Sequence, residues 1–390
     1  MNYRLLILVL GTFIIGTDDF VIAGLLPHIS NDMNVTIAAA GQLVTAFAIA
    51  YAIGAPLFGT LTMNLPLKGL LVVSMLVFAI TNALSAIVAS FEMLFITRIL
   101  AALAAAIFTP LAMTASASLV SEKMRGKALS FILAGITIGL VLGAPIGTWI
   151  GNAATWRYSF ILVSVISFIT VIGVFLFLPK MKREAEMTIR ERLKGFNKVI
   201  LLTLVVNIIG TTGGFMTYTY IAPIITGITN MENISIFLML FGIGALFGNL
   251  IGGYFTDRIG ASKTLMLSLG GFAVLLASFS FLSLLNPSTL AVIMVSIVAI
   301  LWGVPGFGMN PALNTFLISL NPKSAQMVLS FSTSALYMGI GLGAFVGGGV
   351  ISVSSVNYVG AGSGILVLIA LLLFVMIHKI TNKKERSTFE

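Results

Sequence analysis

Apolar stretches of about twenty residues recur along the chain, each closed by glycine, proline, asparagine or a charge. A helix needs about 20 apolar residues to cross a bilayer. The pattern therefore predicts an all-α integral membrane protein with twelve transmembrane helices, at about 5–26, 41–60, 69–89, 94–117, 128–150, 158–178, 200–225, 233–255, 264–284, 289–312, 327–350 and 358–378. The longest polar stretch, Lys180 to Lys198, follows the sixth of these. It divides the chain into six-helix bundles over 1–179 and 200–380, a linker over 180–199 and a tail over 381–390. Charges at helical spacing from Met187 to Lys198 predict a short surface helix within the linker.

The halves echo each other. Gly59-Thr60-Leu61-Thr62-Met63-Asn64-Leu65-Pro66-Leu67-Lys68, between the second and third helices, is matched 194 residues later by Gly253-Tyr254-Phe255-Thr256-Asp257-Arg258-Ile259-Gly260 and the residues up to Lys263. Two tandem halves related by an axis along the membrane normal suit a transporter with its substrate site near the midplane.

Composition agrees with the pattern. Of 390 residues 58% are hydrophobic and 8% charged, against about 25% charged in soluble domains. The net charge of +9 does not imply nucleic acid, because basic residues of membrane proteins collect in cytoplasmic loops. With an even number of crossings and both termini cytoplasmic, all of the 21 Lys and Arg residues except Arg98 and Arg157 fall inside. There is no cysteine and there are only two histidines, which excludes disulfides and thiolate chemistry and leaves little for a metal. The first apolar segment is too long for a signal peptide and lacks a small-residue cleavage site.

Two carboxylates, Asp18 and Asp19, lie within the first apolar segment. An acid there costs roughly 2.5–3.5 kcal/mol to insert and is by default a functional group with a partner. Asp19 stands about seven residues before the outer end of its helix, and Arg98 about six after the outer start of the fourth. At about 1.5 Å per residue the two reach similar depth. The expected pair is Asp19 with Arg98: proton uptake by Asp19 would weaken its attraction for Arg98 and shift the preference between conformations. Neighbours on a helix point about 100° apart, so Asp18 is expected to make a polar contact inside the bundle, with a part in proton coupling as the alternative. His28, after Pro27 at the end of the span, is expected at the interface.

Several motifs together resemble the major facilitator superfamily, and within it the twelve-span drug:proton antiporters. Gly253-x-Phe255-Thr256-Asp257-Arg258-x-Gly260 is similar to the loop signature, Leu94-x3-Arg98 to the fourth-span arginine motif, and Gly135-x3-Gly139-x3-Gly143-Ala144-Pro145-x-Gly147 to the fifth-span antiporter motif. The first-half loop departs from the signature at Met63 and Pro66. Asp19-Phe20-Val21-Ile22-Ala23-Gly24-Leu25-Leu26-Pro27, with Trp302 to Pro311 and Phe331 to Leu336, resembles the arabinose-efflux-like and purine-efflux-like permeases. The resemblance implies a monomeric exporter in a bacterial-type cell membrane, driven by the proton gradient without a cofactor, with Asp19 at the family's acidic position. It implies conformational roles for Gly139, Gly143, Pro145, Gly253, Asp257, Arg258 and Gly260. The glycines also allow close helix packing with no further role, and Gly339, Gly343 and Gly347 repeat them in the eleventh span.

Candidate cavity residues are the aromatic, amide and hydroxyl groups within apolar spans: Phe20, Tyr51, Asn207, Tyr218, Tyr220, Trp302, Phe307, Asn310, Asn314, Ser334 and Tyr337, since ligand sites combine apolar walls with a few oriented polar groups. They suit a small uncharged or amphipathic substrate such as a drug, nucleobase, nucleoside or sugar. A proton symporter importing a metabolite is the nearest alternative, and an integral-membrane enzyme the alternative of another class. The sequence has no HExxH, Gly-x-Ser-x-Gly or Walker A motif, so neither hydrolytic catalysis nor ATP as energy source is expected.

Overall fold

A computed structural model describes residues 3–181, 197–322 and 325–389. Among them every regular element is helical. An apolar medium demands this, because with no water available each crossing segment must satisfy its own backbone hydrogen bonds. Twelve helices are long and apolar enough to span a membrane.

In the first half α1 covers Tyr3–Asp32, α2 Ile37–Leu61, α3 Leu67–Ile87 and α4 Phe91–Ser118. The fifth crossing is composite. α5, Arg125–Ile138, passes through a π-helical turn, Gly139–Gly143, into α6, Ala144–Ala153. In that wide turn the Ala144 N–H donates to the Gly139 carbonyl. It lies directly before Pro145, whose ring nitrogen has no hydrogen to donate. The sixth crossing is α7, Trp156–Phe177.

In the second half α8 covers Lys198–Thr219, α9 Ile221–Thr229, α10 Ser235–Ile259, α11 Ala261–Leu282, α12 Thr289–Leu320, α13 Ala325–Val353 and α14 Val359–Phe389. The expected helix over Met187–Lys198 lies outside the described residues, apart from its last positions: Asn197 caps α8, its side chain accepting from the Ile200 N–H at 2.8 Å.

The structure corrects the expected spans in two places. The first does not end at Pro27, because α1 continues through it to Asp32. One missing N–H loosens a buried helix without ending it when neighbouring groups can take up the freed carbonyl. His28 is consequently half-buried inside the helix, with its Nδ1 unpartnered among the described residues. The seventh span breaks at Tyr220, a non-helical residue at φ −104° and ψ 22° between α8 and α9.

The chain divides into two compact units, Met1–Glu186 with Met231–Met239, and Met187–Asn230 with Leu240–Glu390. Each has the same helix pairing. α1 packs on α5 and α7, α3 on α4 and α7, and α2 on α4; correspondingly α8 packs on α13 and α14, and α11 on α12 and α14. Lipid is as apolar as leucine, so close approach of small residues holds such helices together. A Cβ added to Gly139 would lie 2.5 Å from the Phe13 carbonyl oxygen, and one on Gly147 2.5 Å from Val21 Cγ2. Gly339 and Gly343 would meet the carbonyls of Ile208 and Thr212 at 2.7 and 2.6 Å. In the first unit Arg157, expected in a loop, is the second residue of α7 and pairs with Asp32. It also donates to the Val88 carbonyl at 3.2 Å, tying together the ends of α1, α3 and α7.

Candidate functional site

The first unit has one charged centre in its interior. Arg98 on α4 and Asp18 on α1 are both fully buried, with Nη1 and Oδ1 2.9 Å apart. The other arm of the guanidinium donates to Asn82 Oδ1 at 3.0 Å and to Ser85 Oγ at 2.8 Å, both on α3. Its plane sits 4.5 Å from the ring centroid of Phe160 on α7, a cation–π contact that strengthens when desolvated. Four helices thus converge on one cation. Asp18 Oδ2 and Arg98 Nε have no hydrogen-bond partner among the described residues.

This corrects the expected pairing. Arg98 bonds to Asp18, not Asp19. The depth argument placed both acids within reach, and the rotation of α1 decides between them: the face carrying Asp18 turns into the bundle, and Asp19, about 100° away, is half-buried on another face. Asn82, Ser85 and Phe160 were not among the predicted residues. The only signal for them was an amide and a hydroxyl three residues apart on one face of an apolar helix. Phe20 and Tyr51 are buried in the same unit, outside this cluster.

The second unit gathers much of the predicted cavity set. Asn207 on α8 donates to Ser332 on α13, at 2.9 Å to its carbonyl and 3.3 Å to its hydroxyl. Ser332 Oγ donates in turn to Asn314 Oδ1 on α12 at 3.0 Å. Tyr218, Phe241 and Trp302 form an aromatic cluster, with Phe241 and Trp302 centroids 4.2 Å apart and Phe307 at 6.0 Å from Phe241. Trp302 Nε1 is buried without a partner among the described residues. Tyr220 donates to the Ala344 carbonyl at 2.8 Å, and Tyr337 is buried. Asn310 and Ser334 are half-buried and make no hydrogen bond among the described residues, so with the Trp302 indole N–H they are polar groups of the set left to engage a ligand.

Of the loop motif, Gly260 adopts φ 90° to turn the chain from α10 into α11, a conformation glycine adopts without strain. Asp257 and Arg258 are exposed. Arg258 bonds to Tyr254 Oη at 2.6 Å, and Asp257 makes no ion pair among the described residues.

The family model of the Major Facilitator Superfamily matches residues 8–327. The chain belongs to this superfamily. It is 32% identical over 382 residues to the inner membrane transport protein YdhP of Escherichia coli K12, covering 96% of each chain. It is 31% identical over 381 residues to a chloramphenicol resistance protein of Streptomyces lividans, covering 96% of this chain and 95% of that one. The nucleoside transporter NupG shares its fold, with a TM-score of 0.80 at 16% identity, over 97% of this chain and 100% of that one. This member of the superfamily is thus a multi-pass membrane transporter of small molecules and not an enzyme.

Proposed function

We propose that the protein is a proton-coupled exporter of a small, uncharged or amphipathic organic molecule. It works by alternating access as a monomer in a bacterial-type cell membrane, with both termini in the cytoplasm. The observation that carries this reading is the buried Asp18–Arg98 pair with a second carboxylate, Asp19, next in the chain. Arg98 holds Asp18 as its counter-ion, and Asp19, at the acidic position that the family resemblance marks, is the acid we assign to proton exchange. Each proton moving inward supplies about 2.3 kcal/mol per 100 mV, and the superfamily's conformational cycle converts that into uphill export.

Three further observations support the reading. The Gly135–Gly147 run matches an antiporter motif and packs along α1, which carries both acids. A full-length relative is named for drug resistance. The second unit holds a buried aromatic cluster with the uncommitted polar groups of Trp302, Asn310 and Ser334, and no Asp, Glu, Lys or Arg among its membrane-embedded residues.

The test is the purified protein in liposomes holding a pH-sensitive dye, challenged in turn with nucleobases, nucleosides, sugars and uncharged drugs. The expected result is proton movement opposite to substrate movement, absent in Asp19→Asn. Uphill export retained in Asp19→Asn would remove Asp19 as the coupling acid. Proton and substrate moving together would replace export with symport.

A further inference from the structure

Outside the groups used above, the second unit has a crevice of about 180 Å³ between α10, α11 and α12, running from near the α10–α11 turn to the middle of α12. Its floor is made of small residues, Gly248, Gly252 and Gly308, with Pro305 beside them. The helices cannot close over it further: a Cβ on Gly248 or Gly252 would already strike the α12 backbone. Its rim holds large apolar side chains exposed on the protein surface, Phe255 at 43% and Leu267 at 67%. In a membrane protein such a rim faces lipid.

Two features point to a ligand with a polar end. Ser268 lines the crevice, is 8% exposed and makes no hydrogen bond among the described residues. At the membrane-surface end stand two exposed cations, Arg258 near the end of α10 and Lys263 near the start of α11. Arg258 is drawn back over its own helix by Tyr254. Among the described residues next to them in the chain Asp257 is the one carboxylate, so the balance of this turn stays positive. Ser268 lies five residues along α11 from Lys263, about 7.5 Å deeper. Cation, hydroxyl donor and apolar slot therefore follow one another into the membrane in the order phosphate, ester carbonyl and acyl chain.

We propose that this crevice is a binding site for one anionic phospholipid of the adjoining leaflet. Its phosphate lies at Arg258 and Lys263, an ester carbonyl accepts from the Ser268 hydroxyl, and one acyl chain fills the slot over Gly248, Gly252 and Gly308. The proposal rests on the membrane placement of the helices and not on proton coupling, so either can fail alone.

Native mass spectrometry of the full-length protein in detergent, titrated with phosphatidylglycerol or phosphatidylcholine of matched chains, tests it. Each basic group near a charged lipid surface contributes about 1 kcal/mol, or about fivefold. With Asp257 opposing, wild type is expected to retain phosphatidylglycerol about fivefold more strongly. The double variant Arg258→Gln, Lys263→Gln is expected to erase that preference. Leu267→Trp, placing a large ring across the mouth from a lipid-facing position, is expected to lower retention of both lipids several-fold. Equal retention of the two lipids by wild type, or retention unchanged in Leu267→Trp, would overturn the proposal. If Leu267→Trp keeps its lipid but loses transport in liposomes, the occupant is the transported molecule and not a phospholipid. Should Leu267→Trp fail to elute as a single species, the double charge variant and Ser268→Ala decide the matter by the same readout.

Discussion

At the scale of residues, the Arg98 cluster separates two acids that the sequence sets side by side. Asp18→Asn would leave a buried guanidinium without its counter-charge, a loss of about 3–5 kcal/mol. Thermal unfolding in detergent is expected to show a clear fall in Tm for this variant. Asp19→Asn keeps the Asp18–Arg98 pair, and its Tm is expected to stay much closer to wild type although coupled transport is lost. Arg98→Lys keeps the charge but not the planar fork that reaches Asp18, Asn82 and Ser85 together. It is expected to unfold at a temperature between wild type and Asp18→Asn. The sequence made the cost of these charges and their common depth legible. Which acid meets the arginine depends on how α1 is rotated by its neighbours, and no local pattern encodes that. Ser85 and Ser332 escaped notice for a related reason: a lone hydroxyl in an apolar helix usually bonds its own backbone, as Thr81 does to the Val77 carbonyl.

At the scale of elements, the crossings could be read from hydropathy because lipid leaves a segment so few options. Their ends could not, because α1 and α12 run on past the apolar stretch that hydropathy detects, to Asp32 and Leu320. The glycines divide into those that packing requires and those it does not. Gly139→Ala would drive a Cβ against the Phe13 carbonyl and Gly343→Ala one against the Thr212 carbonyl. Each is expected to cost about 1–3 kcal/mol, read as lower Tm and lower yield of monodisperse protein. Gly253→Ala and Gly349→Ala have nothing within 4 Å of the added atom and are expected to behave as wild type. Gly260→Ala meets no atom either, yet its φ of 90° is strained for any L side chain by about 1–2 kcal/mol. Its Tm is expected to fall although the space around it is open.

At the scale of the whole molecule, orientation is open to direct measurement because the chain contains no cysteine. Single cysteines at Lys123 or Lys379 are expected to react with a membrane-impermeant thiol reagent only from the cytoplasmic side, and one at Glu92 or Asn230 only from the opposite side. The reverse pattern would overturn the assignment of both termini. The repeated helix pairing has one more consequence. Gly135 and Gly139 sit on α1 at Val9 and Phe13, as Gly339 and Gly343 sit on α8 at Ile208 and Thr212. Carried along the two helices, this match sets Thr217 opposite Asp18 and Tyr218 opposite Asp19. Thr217 joins α8 to Ser363 on α14 at 2.8 Å, where Asp18 joins α1 to Arg98 on α4. Tyr218 stacks in the aromatic cluster, where the first unit has a carboxyl side chain, Asp19. The two units therefore differ at matching positions: the first carries Asp18 and Asp19, the second Thr217 and Tyr218. A chain of two first halves would lack the Tyr218–Phe241–Trp302 cluster, and a chain of two second halves would lack the paired acids and the buried arginine.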